Sequence, residues 1–150
     1  MAFKHILVAT DFSDASGAAL DLCRELARDH DSRVTLVHAY PENFYAAYPV
    51  PAAPLSPSKE QLTAIKRGIE EALERLRGEH LDGVPFVAVQ LLTGDDPSRA
   101  ICDHAREQGA DLIVVGSHGR SGLSKLLLGS VAGRVVQQAH CPVLVSRASE

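Results

Sequence analysis

Two glycine-bearing pieces, Gly116-Ser117-His118-Gly119 and, nine residues later, Gly129-Ser130, follow directly on the apolar run Asp111–Gly116. A strand that ends in such a loop and restarts as a helix presents free backbone N–H groups and the positive end of a helix dipole, and both suit a phosphate. Glycine belongs there because a side chain would hold the phosphate off the main chain or forbid a positive φ. Ser130 is expected to cap the helix that follows, leaving its own N–H and that of Val131 as donors without intrahelical partners. A carboxylate, Asp11, closes an earlier apolar run. Alone it would repel a phosphate compound, but Mg²⁺ takes oxygen ligands and bridges a carboxylate to phosphates through water.

These residues need elements to carry them. Lys4–Thr10 and Arg33–Ala39 are apolar on consecutive positions, as in strands covered on both faces. Between them, Ser13 is placed to cap a helix through Arg28, with Ala15, Ala19, Leu22 and Leu26 on one stripe. Residues 40–58 hold five of the eight prolines and all three tyrosines, which predicts a long loop. That loop suits a lid, a dimer contact or a surface segment equally. Ser58 and Gln61 have capping-box spacing ahead of a helix to His80 that carries Leu62, Ile65, Ile69, Leu73 and Leu76 on one face. Phe86–Leu92 is the third strand. Asp96-Pro97 opens a helix that Gly109 closes, and Ile101 and Ala105 point inward from it. Asp111–Gly116 is the fourth strand, residues 121–128 a short helical turn, Ser130 to about Ala139 a helix, and Pro142–Ser146 the fifth strand.

Alternation of this kind demands an α/β fold: one open five-stranded parallel sheet, Rossmann-like, with helices on both faces and right-handed crossovers. With strand order 3-2-1-4-5, the winding reverses between strands one and four, and ligands of open sheets sit beyond the carboxyl ends at such a point. Asp11 and the Gly116 loop would then lie side by side. The 150 residues fit a single domain spanning 1–150.

Composition excludes several functions. A net charge of −4 with scattered basic residues lacks the basic stripe that grips nucleic acid. Cys23, Cys102 and Cys141 have neither disulfide-framework nor zinc spacing and read as apolar filler, and the seven histidines show no paired metal spacing. No apolar stretch approaches membrane length and no leader pattern opens the chain, so a cytoplasmic protein away from membranes is expected. There is no Gly-Lys-Ser/Thr P-loop, no G-x-G-x-x-G after the first strand and no G-x-S-x-G elbow. His38 is expected to be packed and hydrogen-bonded at a strand end. For His118, phosphate contact and loop shaping stand even. Arg120 and Lys125, inside the nine-residue spacer, suit either terminal phosphates or solvent.

The set as a whole resembles the ATP-binding branch of the universal stress protein family. The residues that carry the resemblance are Val8–Ser13, Leu36–His38, Gly94 and Pro97, the Gly-x2-Gly-x9-Gly-Ser pattern with Val131, and Cys141–Val145. It implies an adenine nucleotide alpha hydrolase-like fold and a regulatory, stress-response dimer that binds ATP with Mg²⁺. By the same resemblance, Asp11 approaches the ribose and, through the metal, the phosphates. Ala9 and Thr10 make main-chain contacts, Ala39 pairs with the adenine edge, and Gly116, Gly119, Gly129, Ser130 and Val131 form the ribose-phosphate cradle, with His118 between the glycines. Pairing of two subunits through residues 142–146 and an unidentified protein partner are also implied. Two alternatives stand beside it: slow Mg-dependent ATP hydrolysis or phosphoryl or adenylyl transfer in the same pocket, and a dimeric adaptor without nucleotide.

Overall fold

The computed structural model describes residues 1–41, 57–118 and 127–148. Its elements run β1 (His5–Ala9), α1 (Asp14–His30), β2 (Arg33–Tyr40), α2 (Lys59–His80), β3 (Val87–Thr93), α3 (Pro97–Glu107), β4 (Leu112–Gly116), α4 (Ser130–Gln138) and β5 (Val143–Ser146). They build one five-stranded sheet of order β3-β2-β1-β4-β5. Every pairing is parallel, with Val8 opposite Leu36 on one side of β1 and opposite Val114 on the other. The α/β fold and strand order expected from the sequence are those observed.

Because strand side chains alternate, each apolar run feeds two cores. Ile6, Val8, Val34, Leu36, Leu112 and Val114 meet Ala19, Leu20 and Cys23 of α1 and Leu73 of α2. Leu7, Ala9, Val37, Ile113 and Val115 meet Ile101 and Ala105 of α3 and Ala132 and Val135 of α4. The helices therefore cover both faces, α1 and α2 on one and α3 and α4 on the other.

Local signals set most boundaries. Ser13 caps α1, its hydroxyl accepting from the Ser16 N–H at 3.3 Å. Ser58 and Gln61 form the reciprocal capping box of α2. The Asp96 carboxylate accepts from Ser98 N at 3.0 Å and Arg99 N at 3.4 Å, with Pro97 in the first turn. Gly109 takes a φ of +66° just beyond α3.

Three expectations need correction. Ser130 is not the cap of α4: Gly129 is, and it brings no side-chain hydrogen bond. The apolar stripe of α2 is buried only in part; Leu73 is buried, Ile69 and Leu76 pack on the core edge, and Leu62 is exposed. The cause is length: 22 residues make α2 about 33 Å long, whereas the eight-residue β2 spans about 26 Å, so the start of the helix overhangs the sheet. Phe86 lies just outside β3 and is 74% exposed, although its carbonyl still accepts from Val34 N at 2.8 Å. The loop at 42–56 and the turn at 121–126 lie outside the described residues.

All three cysteines are free thiols. Cys23 and Cys102 are buried and Cys141 half-buried, and burial pushes the Cys23 thiol up to about 12. Among the described residues no helix is long and apolar enough to cross a membrane.

Candidate functional site

At the carboxyl end of β1 the chain must leave the sheet and enter α1 within four residues. Thr10 prolongs the ladder, its N–H donating to Val37 O at 2.9 Å, and its carbonyl accepts from His38 Nδ1 at 2.7 Å. That carbonyl can only accept, so Nδ1 carries a proton. Phe12 turns the corner with a φ of +66°, a conformation costing a bulky residue about 1–2 kcal/mol. Its N–H donates to Thr10 Oγ1 at 3.1 Å, and its ring stacks at a tilt on His38, centroids 4.7 Å apart. Asp11 Oδ1 accepts from Ser13 N at 3.0 Å and from the Ser13 hydroxyl, which fastens the turn.

The carboxyl end of β4 approaches the same place. A Cβ on Gly116 would stand 2.8 Å from the Ala15 carbonyl carbon and 2.9 Å from Ser16 N. The backbone of α1 by itself thus demands glycine here. Ser117 N donates to Ser146 O and Ser117 O accepts from Gly129 N, both at 2.7 Å, so one residue pins the start and the end of the spacer. The Ser117 hydroxyl lies 2.8 Å from His118 Nδ1. Past Gly129, the first intrahelical bond of α4 is Gly133 N to Gly129 O at 2.8 Å. The N–H groups of Ser130, Val131 and Ala132 precede it, and the cap residue offers them no side-chain acceptor.

Between these two strand ends lies a cavity of about 270 Å³. It is lined by Ala9, Thr10, Asp11, Ala39, Gly116, His118, Gly129, Ser130 and Val131, nine of the eleven candidate site residues. Gly119 and Arg120, like Lys125, lie outside the described residues. The lining also includes Ser16, His38, Pro41, Pro97, Ile101, Val115 and Ala132. His38 is packed and hydrogen-bonded as expected, yet it faces the cavity as well. Pro97 and Ile101 were legible in principle, since every helix of such a sheet starts on the side where the strands end. Ser16 had no local signal, because its contact with Thr10 depends on the turn at Phe12.

The two sides of the cavity differ in character. The α4 side offers N–H donors at the positive end of a helix; the β1 side offers the Asp11 carboxylate and hydroxyl oxygens. Pro97, Ile101, Val115 and Ala132 add apolar surface. Such a cavity accepts an elongated molecule with an anion at one end, hydroxyl or amino donors at its middle and a flat apolar part. Among the described residues no group of three or more His, Cys, Asp or Glu side chains is arranged to hold a metal ion. Asp11 is a single carboxylate, the donor set that suits Mg²⁺ carried in by phosphates rather than an all-protein cage.

The sequence pattern of the universal stress protein family matches residues 2–147. A universal stress protein of Thermus aquaticus is 40% identical over 147 residues, 97% of this chain and 99% of its own length. The solved structure of MJ0577, a universal stress protein of Methanocaldococcus jannaschii, is similar with a TM-score of 0.81 and 28% identity, over 100% of this chain and 99% of that one. A universal stress protein of Archaeoglobus fulgidus, solved in complex with dAMP, is similar with a TM-score of 0.62 and 27% identity, over 97% and 99%. This chain belongs to the universal stress protein family.

Proposed function

We propose that this protein binds an adenine nucleotide, ATP with Mg²⁺, in the cavity between the ends of β1 and β4, and acts as a nucleotide-dependent regulator in the cytoplasm. The observation that carries this reading is the start of α4. Its N–H donors are uncapped by any side chain of Gly129 and line the same cavity as Asp11. A helix start that spends none of its donors on its own cap suits a phosphate. In this reading Ser130, Val131, Gly129 and Gly116 cradle the ribose and phosphates, together with Gly119, His118 and Arg120. Asp11 faces the ribose and reaches the phosphates through Mg²⁺, which supplies charge neutralisation. Ala9 and Thr10 provide main-chain contacts, and Ala39 pairs with the adenine edge. The relative solved with dAMP supports the adenine nucleotide class.

The dimer belongs to the same proposal. β5 lies at an edge of the sheet, and Val143, Leu144 and Val145 are half-buried, so residues 142–146 offer an unpaired apolar edge to a second copy. Three free thiols suit a reducing compartment.

Acid precipitation of the purified protein, with the released compounds identified by chromatography and mass spectrometry, tests the ligand directly. Stoichiometric ATP is the expected result. If the extract is empty, calorimetric titration with Mg·ATP decides, and a flat titration refutes the reading.

A further inference from the structure

Two buried hydroxyls line the cavity on the β1 side, Thr10 at 5% and Ser16 at 3% exposure. Their protons can be placed from their partners. Ser16 Oγ donates to Ser13 O at 2.8 Å, and a carbonyl can only accept, so the single proton of Ser16 is spent there. Thr10 Oγ1 and Ser16 Oγ are 2.9 Å apart. With Ser16 committed, Thr10 is the donor of that bond, and its own oxygen accepts from Phe12 N at 3.1 Å. Each hydroxyl has one proton, and both protons now point into the protein. What remains for a ligand is lone pairs. The neighbouring Asp11 carboxylate, which takes the Ser13 N–H and hydroxyl, lies on the same side.

From this relay we infer that Ser16 is a specificity-determining positioning residue. By taking the Thr10 proton it makes the β1 side of the cavity an acceptor surface, which selects nucleotides with free sugar hydroxyls and rejects a phosphate on that edge of the sugar. The inference rests on the adenine nucleotide reading above and adds to it which phosphorylation pattern the site tolerates. A hydroxyl meeting this side donates a hydrogen bond, whereas a phosphate there brings further lone pairs against lone pairs that have no proton to turn toward it.

The test compares AMP with adenosine 3′,5′-bisphosphate, which differ by the 3′-phosphate alone. Calorimetric Kd values are measured for the protein and for Ser16→Ala, Thr10→Val and the double variant, with thermal melts to establish folding. The unchanged protein is expected to prefer AMP. In Ser16→Ala the Thr10 proton is released from its partner and can serve the bisphosphate, so the preference falls about tenfold, the worth of one hydrogen bond to a charged group. Thr10→Val has no such proton, so adding Ser16→Ala to it changes the preference no further, which a merely structural role for Ser16 would not produce. Equal binding of both nucleotides by the unchanged protein, or an undiminished preference in a folded Ser16→Ala, overturns the inference. Failure of both nucleotides to bind overturns the adenine nucleotide reading and this inference with it.

Discussion

Helices α1 and α4 start beside one another, at the carboxyl ends of neighbouring strands, and their first turns line one cavity, yet they treat their N-termini in opposite ways. The start of α1 is capped from within: the Ser13 hydroxyl takes the Ser16 N–H, and Asp11 takes the Ser13 N–H. The start of α4 carries a glycine cap, which gives its donors no side-chain acceptor. One start is capped by its own side chains and the other is not. A helix dipole alone does not make an anion site, since two equivalent dipoles stand here and the side chains decide which is available.

The largest way to break this arrangement is at Gly116, where β4 touches the backbone of α1. Gly116→Ala should destabilise the protein by about 1–3 kcal/mol, the usual cost of overpacking, and urea unfolding measures it. Because the strand end moves with respect to α1, nucleotide affinity should fall as well. Next in size, Gly129→Asp gives α4 the cap it lacks. Stability should rise by about a few tenths of a kcal/mol, while Mg·ATP affinity should fall by about tenfold or more, because the new carboxylate takes the donors and repels phosphate. Stability and binding moving together instead would contradict the division between the two helices. Ser13→Ala removes the cap of α1 and should cost about 1 kcal/mol in unfolding experiments, with a smaller effect on affinity than Gly129→Asp.

The smallest effect comes from the opposite end of the sheet and serves as a control. His5 is buried, with Nδ1 donating to Gln108 O at 3.2 Å and Nε2 accepting from the Thr35 hydroxyl at 2.8 Å. Burial foremost, then the nearby Arg33 charge, holds its pKa below the ordinary 6.5. The unfolded chain therefore binds the proton more readily, and the contribution of His5 to stability, complete above 6.5, is lost as pH falls through the folded value. Unfolding measured from about pH 7.5 to about pH 5.5 should decline less steeply in His5→Gln than in the unchanged protein. Neither helix start should respond to that substitution.

The sheet was legible because its apolar runs are long, consecutive and bounded by turn residues, and because Ser58/Gln61 and Asp96-Pro97 are local signals for helix starts. The order 3-2-1-4-5 is one arrangement compatible with those runs, and it is the one adopted. The glycine pieces pointed to the right end of the sheet, but the reason for Gly116 was not readable, since its partner is the Ala15 backbone a hundred residues away in the chain. Ser130 was misassigned as a cap because serine outranks glycine in that role statistically, whereas Ser117 O fixes Gly129 in the capping position. The exposed start of α2 depends on the mismatch between helix and strand lengths, which no periodicity within the helix reveals. Ser16 carries no signal of its own in the sequence, because the Phe12 turn is what brings it against Thr10.

The strand order has a last consequence, for the chain as it leaves the ribosome. β1 is the central strand and is made first, but one of its two neighbours, β4, begins only at Leu112. At about 5–20 residues per second the open edge of β1 waits on the order of several seconds after β2 is complete. Meanwhile β1, β2 and β3 with α1 and α2 form half a sheet whose core still lacks Leu112 and Val114. During synthesis the apolar edge of β1 thus stays open until β4 emerges, and it closes in the step that also brings Gly116 against α1.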